Sequence, residues 1–212
     1  MIPLHELMAR IGLAAAAEYG FALAGSYAIQ AHGFLDRVSD DVDLFTVNDA
    51  RERFGEAVAA VTGAYRDAGF GVEIPLSNDC FARLMVTTPD HRSVKVELGI
   101  DWRAHPPVTM PVGPVLHPDD AVGNKLAALY GRAEVRDFVD VDAVLRSGRY
   151  TTDGLQRLAA TADPGFAPEM FVHSLNALDR LPDQAFTVHG LTPQQIADLR
   201  SRFKAWAAEL MR

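Results

Sequence analysis

The sequence predicts an α+β chain: a mixed sheet flanked by helices in the N-terminal part, then an all-helical C-terminal part. Three observations predict it. Short runs of strand character, several alternating polar and apolar residues, stand between helical patterns up to residue 100. Five prolines (106, 107, 111, 114 and 118) then interrupt the chain, so no helix can run through that stretch. Beyond them every pattern has helical spacing.

The elements follow in order. Leu4, Leu7, Met8, Ile11 and Ala15 recur at helical spacing, and Gly20 ends that helix. Phe21 to Ala24 reads as a short buried strand that stops at Gly25-Ser26, and Tyr27 to Ala31 as a short helix closed near Gly33. Asp41 to Thr46 alternates as a strand does. Ala50 to Ala68 is an amphipathic helix, with Gly63 and Gly69 read as loop and cap residues. Gly71–Leu76, Phe81–Thr87 and Ser93–Ile100 are further strands, with a turn at His91-Arg92. The proline-rich stretch from Ala104 to Pro118 marks a boundary between a catalytic α/β domain over 1–105 and a helical domain over 119–212. Asp119 or Asp120 caps a helix through Leu129. A second helical pattern, Val135 to Leu145, is either separate from the first or continuous with it. Thr192-Pro193-Gln194-Gln195 is a capping box that opens a last helix to Met211.

Composition narrows the function classes. The 212 residues are 49% hydrophobic and 23% charged, enough for a sizeable core. A net charge of -8 does not announce a nucleic-acid binder, although a phosphate groove needs only local Lys and Arg. Cys80 is the one cysteine, so no internal disulfide can form and a reducing compartment fits. No basic stretch leads into an apolar run after Met1, and no apolar run approaches the ~18 residues of a membrane span. The expectation is a cytoplasmic protein without membrane contact. The seven histidines are scattered, and neither a zinc pattern nor a glycine-rich phosphate loop is present. Ser26 has no nucleophile-elbow context, and Trp102 and Trp206 read as core or interface residues.

The chemistry concentrates at Gly25-Ser26 and at Asp41-Val42-Asp43-Leu44-Phe45. On a strand, Asp41 and Asp43 project to one face. Two carboxylates that close repel unless protonated or bridged by a cation. Mg²⁺ prefers one or two carboxylates plus substrate phosphate oxygens, and two such ions ~3.5–4 Å apart can clamp a phosphoryl displacement. Glu97, in mid-strand, is the first choice for a third carboxylate that binds metal or deprotonates the acceptor. Asp101, expected past the strand end, is the second. Gly25 lets the backbone approach a ligand, and the start of the following helix offers N–H groups to phosphate. If one helix spans residues 125–140, Lys125, Arg132, Arg136 and Asp140 fall within ~80° of one another. Such a stripe can bind a triphosphate, with Asp140 orienting Lys125 or an arginine, while Asp137 lies further round.

The chain resembles the DNA polymerase beta-like nucleotidyltransferase superfamily, whose signature is an apolar residue, Gly-[Gly/Ser], a spacer and Asp-x-Asp. Within it, the likeness is to the AbiEii/MenT-type toxins. Their Arg-x-[Ser/Thr]-x before the acidic pair is matched by Arg37-Val38-Ser39-Asp40. Their second block is matched by Lys125-Leu126-Ala127-Ala128-Leu129, Arg132, and Arg136-Asp137-Phe138-Val139-Asp140. Phe203-Lys204-Ala205-Trp206 resembles their final helix. The resemblance implies a nucleotidyltransferase whose catalytic residues are Asp41, Asp43, Glu97, Lys125 and Asp140. It implies nucleotide binding by Gly25, Ser26, Arg37, Lys125 and Arg132, with Mg²⁺ on Asp41 and Asp43. It further implies an NTP substrate, the 3′ end of tRNA as acceptor and a cognate antitoxin. Arg37, Arg51, Arg53, Arg132 and Arg136 could line a basic groove for that RNA. The alternatives are the same chemistry on a small molecule such as an antibiotic, or a non-catalytic nucleotide- or RNA-binding scaffold.

Overall fold

In a computed structural model, which describes residues 1–211, the sheet and the helices fall into two compact units. The first comprises residues 1–32 and 38–117, the second residues 33–37 and 118 onward.

The first unit is built on a seven-stranded sheet. Its strands are β1 (Ala22–Leu23), β2 (Asp41–Val47), β3 (Gly71–Ser77), β4 (Phe81–Thr87), β5 (Ser93–Asp101), β6 (Val108–Met110) and β7 (Gly113–Val115). Their order is β3-β4-β5-β2-β1-β7-β6, with β2–β5 and β1–β7 parallel and the other neighbours antiparallel. Period-two alternation puts Val42 and Leu44 of β2, Ala82, Leu84 and Val86 of β4, and Val94, Val96 and Leu98 of β5 on one buried face. Helices α1 (Pro3–Ala15) and α3 (Phe54–Asp67) cover that face, and α2 (Gly25–Ala31) follows β1 directly. Tyr65 of α3 donates its hydroxyl to the Met8 carbonyl of α1 at 2.8 Å, which ties the two covering helices together. Opposite-parity residues of β2, β4 and β5, among them Asp41, Asp43, Arg83, Lys95 and Glu97, are left on the other face.

Several sequence expectations change here. Gly63 lies inside α3, not in a loop. The helix expected from Ala50 begins as a 3₁₀ turn at Asn48 and becomes α-helical only at Phe54. The proline-rich stretch holds the β6–β7 hairpin, and β7 joins the sheet through Leu23↔Val115. Asp101 is the last residue of β5, not beyond it.

The second unit is helical: α4 (Pro118–Arg132), α5 (Val135–Arg146), α6 (Thr152–Ala162), α7 (Pro168–Asn176), α8 (Asp183–Thr187) and α9 (Pro193–Leu210). Its core is aromatic. Phe138 meets Phe203 edge-on at 5.1 Å, and Phe171 meets Trp206 edge-on at 5.2 Å, geometries that favour aromatic pairs. Trp206 is buried, whereas Trp102 of the first unit is exposed. Asp142 of α5 accepts from Arg146 on its own helix and from Arg202 on α9, which pins α5 to α9. The Thr192–Gln195 capping box opens α9. Among the described residues, no helix is long and apolar enough to cross a membrane.

Candidate active site

Register assembles the acidic cluster. β2 and β5 run parallel with Asp41 opposite Lys95 and Asp43 opposite Glu97, and β4 places Arg83 opposite Glu97 from the other side. In-register residues share a face, so Arg83, Glu97 and Asp43 form a row across three strands, with Lys95 and Asp41 in the next row. Carboxylate oxygens of Asp41, Asp43 and Glu97 all lie within 4.8 Å of one another. Asp101 shares the parity of Glu97 but lies four residues on, about 13 Å along the strand. Its register partner is Val47 and its carboxylate faces Arg103 at 3.4 Å, so Glu97, not Asp101, is grouped with the pair on β2.

The β1–α2 turn closes one side. The Ala24 amide donates to the Asp43 carbonyl at 2.8 Å, which holds the turn against β2. Gly25 has φ +59, in the left-handed region that favours glycine, and any Cβ there would overlap the Asp43 carboxylate. The position therefore admits only glycine, for backbone conformation and for space. Ser26 is buried in the first turn of α2. Ser39, just before β2, donates its hydroxyl to Asp41 at 3.1 Å.

Three close carboxylates, an oxygen-only donor set and a glycine turn against one of them suit a hard divalent cation such as Mg²⁺. Two side chains that sequence reasoning passed over also belong to the site. Lys95 Nζ lies 2.8 Å from Asp41 and 3.6 Å from Glu97, and Arg83 lies 2.7 Å from Glu97. Burial disfavours the Lys95 ammonium. The hydrogen bond that Lys95 donates to Asp41 and the charges of Asp41 and Glu97 outweigh that, so its pKa is raised. Alternation was the available signal: Lys95 precedes Glu97 by two residues and so shares its face.

In the second motif block the helices are separate, so the stripe that one continuous helix would give does not form. α4 ends at Arg132 and α5 begins at Val135, with Ala133 between them at φ +50. Asp137 is buried and accepts the fork of Arg132, both bonds 2.8 Å. Its carboxylate also accepts from the backbone amide of Glu134, while the Glu134 side chain caps the N3 amide in return. Arg136 pairs with Glu134. Arg132 and Arg136 thus belong to the α4–α5 corner, not to a stripe with Lys125. One turn further, Asp140 is fully buried between Lys125 Nζ at 2.8 Å and Arg37 at 2.7 Å. Arg37 is part of this helical unit although its sequence neighbours from Val38 onward belong to the sheet unit.

The arginines proposed for a basic groove are engaged by acids. Arg51 binds Asp79, Arg53 binds Glu18 and Glu56, and Arg132, Arg136 and Arg37 are paired as described.

The model of the family described as "Nucleotidyl transferase AbiEii toxin, Type IV TA system" matches residues 6–211. Among solved structures, MenT4, a nucleotidyltransferase toxin from Mycobacterium tuberculosis H37Rv, is 20% identical with a TM-score of 0.62, covering 97% of this chain and 87% of that one. JHP933 from Helicobacter pylori is 18% identical with a TM-score of 0.58, covering 98% and 92%. At these identities the likeness is one of fold. No curated protein sequence matches the chain.

Proposed function

Because the chain belongs to the AbiEii family of nucleotidyl transferase toxins, we propose that it moves a nucleotide from an NTP to the 3′ end of tRNA, with Asp41 and Asp43 holding Mg²⁺. The observation that carries the metal-dependent chemistry is the grouping of Asp41, Asp43 and Glu97 beside a turn that tolerates only Gly25. In the reaction an acceptor hydroxyl attacks the α-phosphorus, the bond to the β-phosphate oxygen breaks, and pyrophosphate leaves. When bound, the divalent ion neutralises charge on the phosphate oxygens. Gly25 and Ser26 offer backbone amides to the triphosphate. Glu97 takes the remaining role of third carboxylate, as metal ligand or as acceptor of the hydroxyl proton.

In this reading Lys125, Arg37 and Arg132 are the cationic partners of the triphosphate, and Asp140 orients the first two. The family assignment implies an antitoxin as partner.

The acceptor is tested by incubating the protein with each labelled NTP and purified tRNA, with and without Mg²⁺. Label should appear on tRNA only with Mg²⁺, and should vanish when the tRNA 3′ hydroxyl is blocked. If tRNA stays unlabelled while a small hydroxylated acceptor gains the nucleotide, the RNA assignment is wrong and the small-molecule reading replaces it.

A further inference from the structure

Three carboxylates in one place usually serve two divalent ions in this kind of chemistry. Here the same face carries two cations of its own. Lys95 Nζ stands 2.8 Å from Asp41 and 3.6 Å from Glu97, and Arg83 stands 2.7 Å from the same Glu97 oxygen. Glu97 Oε1 is therefore shared by an ammonium and a guanidinium, both fixed by strand register. Two side-chain cations carry the charge of one divalent ion. A site with three carboxylates, Lys95, Arg83 and one divalent ion has the same net charge as three carboxylates with two divalent ions. A second ion added to this cluster would have to displace Lys95 from Asp41 or sit beside it against charge repulsion.

We infer that Lys95, together with Arg83, takes the place of a second divalent cation, so that this site holds one divalent ion, on Asp41 and Asp43, while Glu97 is committed to Lys95 and Arg83. Lys95 is then a positioning residue. It holds Asp41 and Glu97 together, and it sets how many metals the cluster accepts. The inference rests on the reading of Asp41 and Asp43 as metal ligands, and it replaces the metal-ligand or proton-acceptor role given to Glu97 with the binding of these two cations.

Mn²⁺ titrated into the metal-free full chain, with free ion followed by electron paramagnetic resonance, reads the stoichiometry without any turnover. The parent should bind one Mn²⁺, and Asp43→Asn should bind none. Lys95→Met, of similar length but without charge, should bind two, and Lys95→Arg should return to one. Without metal, Lys95→Met should also melt several degrees below the parent, and added Mn²⁺ should raise its midpoint more than it raises the parent's. Two ions on the parent, or an unchanged single ion on Lys95→Met, overturns the role of Lys95 and leaves the metal site standing. No Mn²⁺ on the parent, or full binding by Asp43→Asn, overturns the metal-site reading and the inference with it. Should Lys95→Met fail to fold without metal, the count on the parent still decides.

Discussion

Two groups of buried or half-buried acids use the same residue types for opposite ends. In the helical unit, Asp140 is one carboxylate between two cations, Lys125 and Arg37, all three nearly inaccessible to water. In the sheet unit, Asp41, Asp43 and Glu97 are three carboxylates with Lys95 and Arg83 set against them. In the first group two cations stand against one fully buried carboxylate. In the second, three carboxylates stand against two described cations, Lys95 and Arg83, an excess of negative charge on the sheet face. A buried carboxylate outnumbered by cations fixes positions. A cluster that outnumbers its cations is built to receive one.

The largest effect expected from this contrast is on stability. Asp140→Ala would leave Lys125 and Arg37 buried without their shared counter-ion, a loss of about 3–5 kcal/mol. Urea denaturation should show a much lower midpoint. An Asp140→Ala protein as stable as the parent would remove the distinction between the two groups.

Asp43→Ala should behave in the opposite way. Removing one of three mutually repelling carboxylates should leave the unfolding midpoint unchanged or raise it. Transfer should fall by about 10²–10³-fold or more, since a metal supplies several kcal/mol of charge stabilisation at a phosphoryl group and each ~1.4 kcal/mol is tenfold in rate. Single-turnover rates with labelled NTP check this. Parental rates in Asp43→Ala would end the metal reading.

Lys125→Ala separates structure from chemistry at the boundary between the two groups' roles. If Lys125 also meets the triphosphate, NTP binding or transfer should weaken by at least ~10-fold, the worth of a charge-assisted hydrogen bond of ~1.5–3 kcal/mol. If it serves Asp140 alone, the urea midpoint should fall while the rate per folded molecule stays parental.

How much of this was legible in the sequence depends on how local each feature is. The bounds of β4 match the alternating run Phe81–Thr87, because period two needs no partner to be visible. The placing of Asp41 and Asp43 on one face follows from the same rule. The β6–β7 hairpin was not legible: strands of three residues exist only because β7 pairs with β1, some ninety residues earlier. The two helical patterns of α4 and α5 were legible, but whether they join into one helix stayed open. The break depends on Ala133, a non-glycine residue in a left-handed conformation, and on a cap from Glu134, neither a usual signal. That break is why Lys125 reaches Asp140 from a different helix, and why Arg132 and Arg136 turn to the corner instead. Lys95 and Arg83 were visible as alternating residues, but their charge gained meaning only when register placed them on either side of Glu97.

The smallest expected effect measures how far the field of the sheet cluster extends. His5 of α1 is buried and shares a 2.7 Å hydrogen bond with the Tyr27 hydroxyl of α2. Burial lowers its pKa below the ordinary 6.5, and the charges of Asp41 and Asp40 pull it part of the way back. The folded chain therefore releases the His5 proton at a lower pH than the unfolded chain does. The unfolded state binds more protons in that window, so the contribution of His5 to stability is complete above about pH 6.5 and is lost as pH falls through and below it. Melting midpoints between pH 7.5 and 5.5 should drop in the parent more than in His5→Gln, which cannot titrate. Asp41→Asn removes an attraction that favours the protonated ring, so the His5 resonance should titrate at a still lower pH in that variant. An unchanged His5 titration in Asp41→Asn would mean that the cluster's charge is already balanced at that distance, and the excess negative charge assigned to the sheet face would have to be withdrawn.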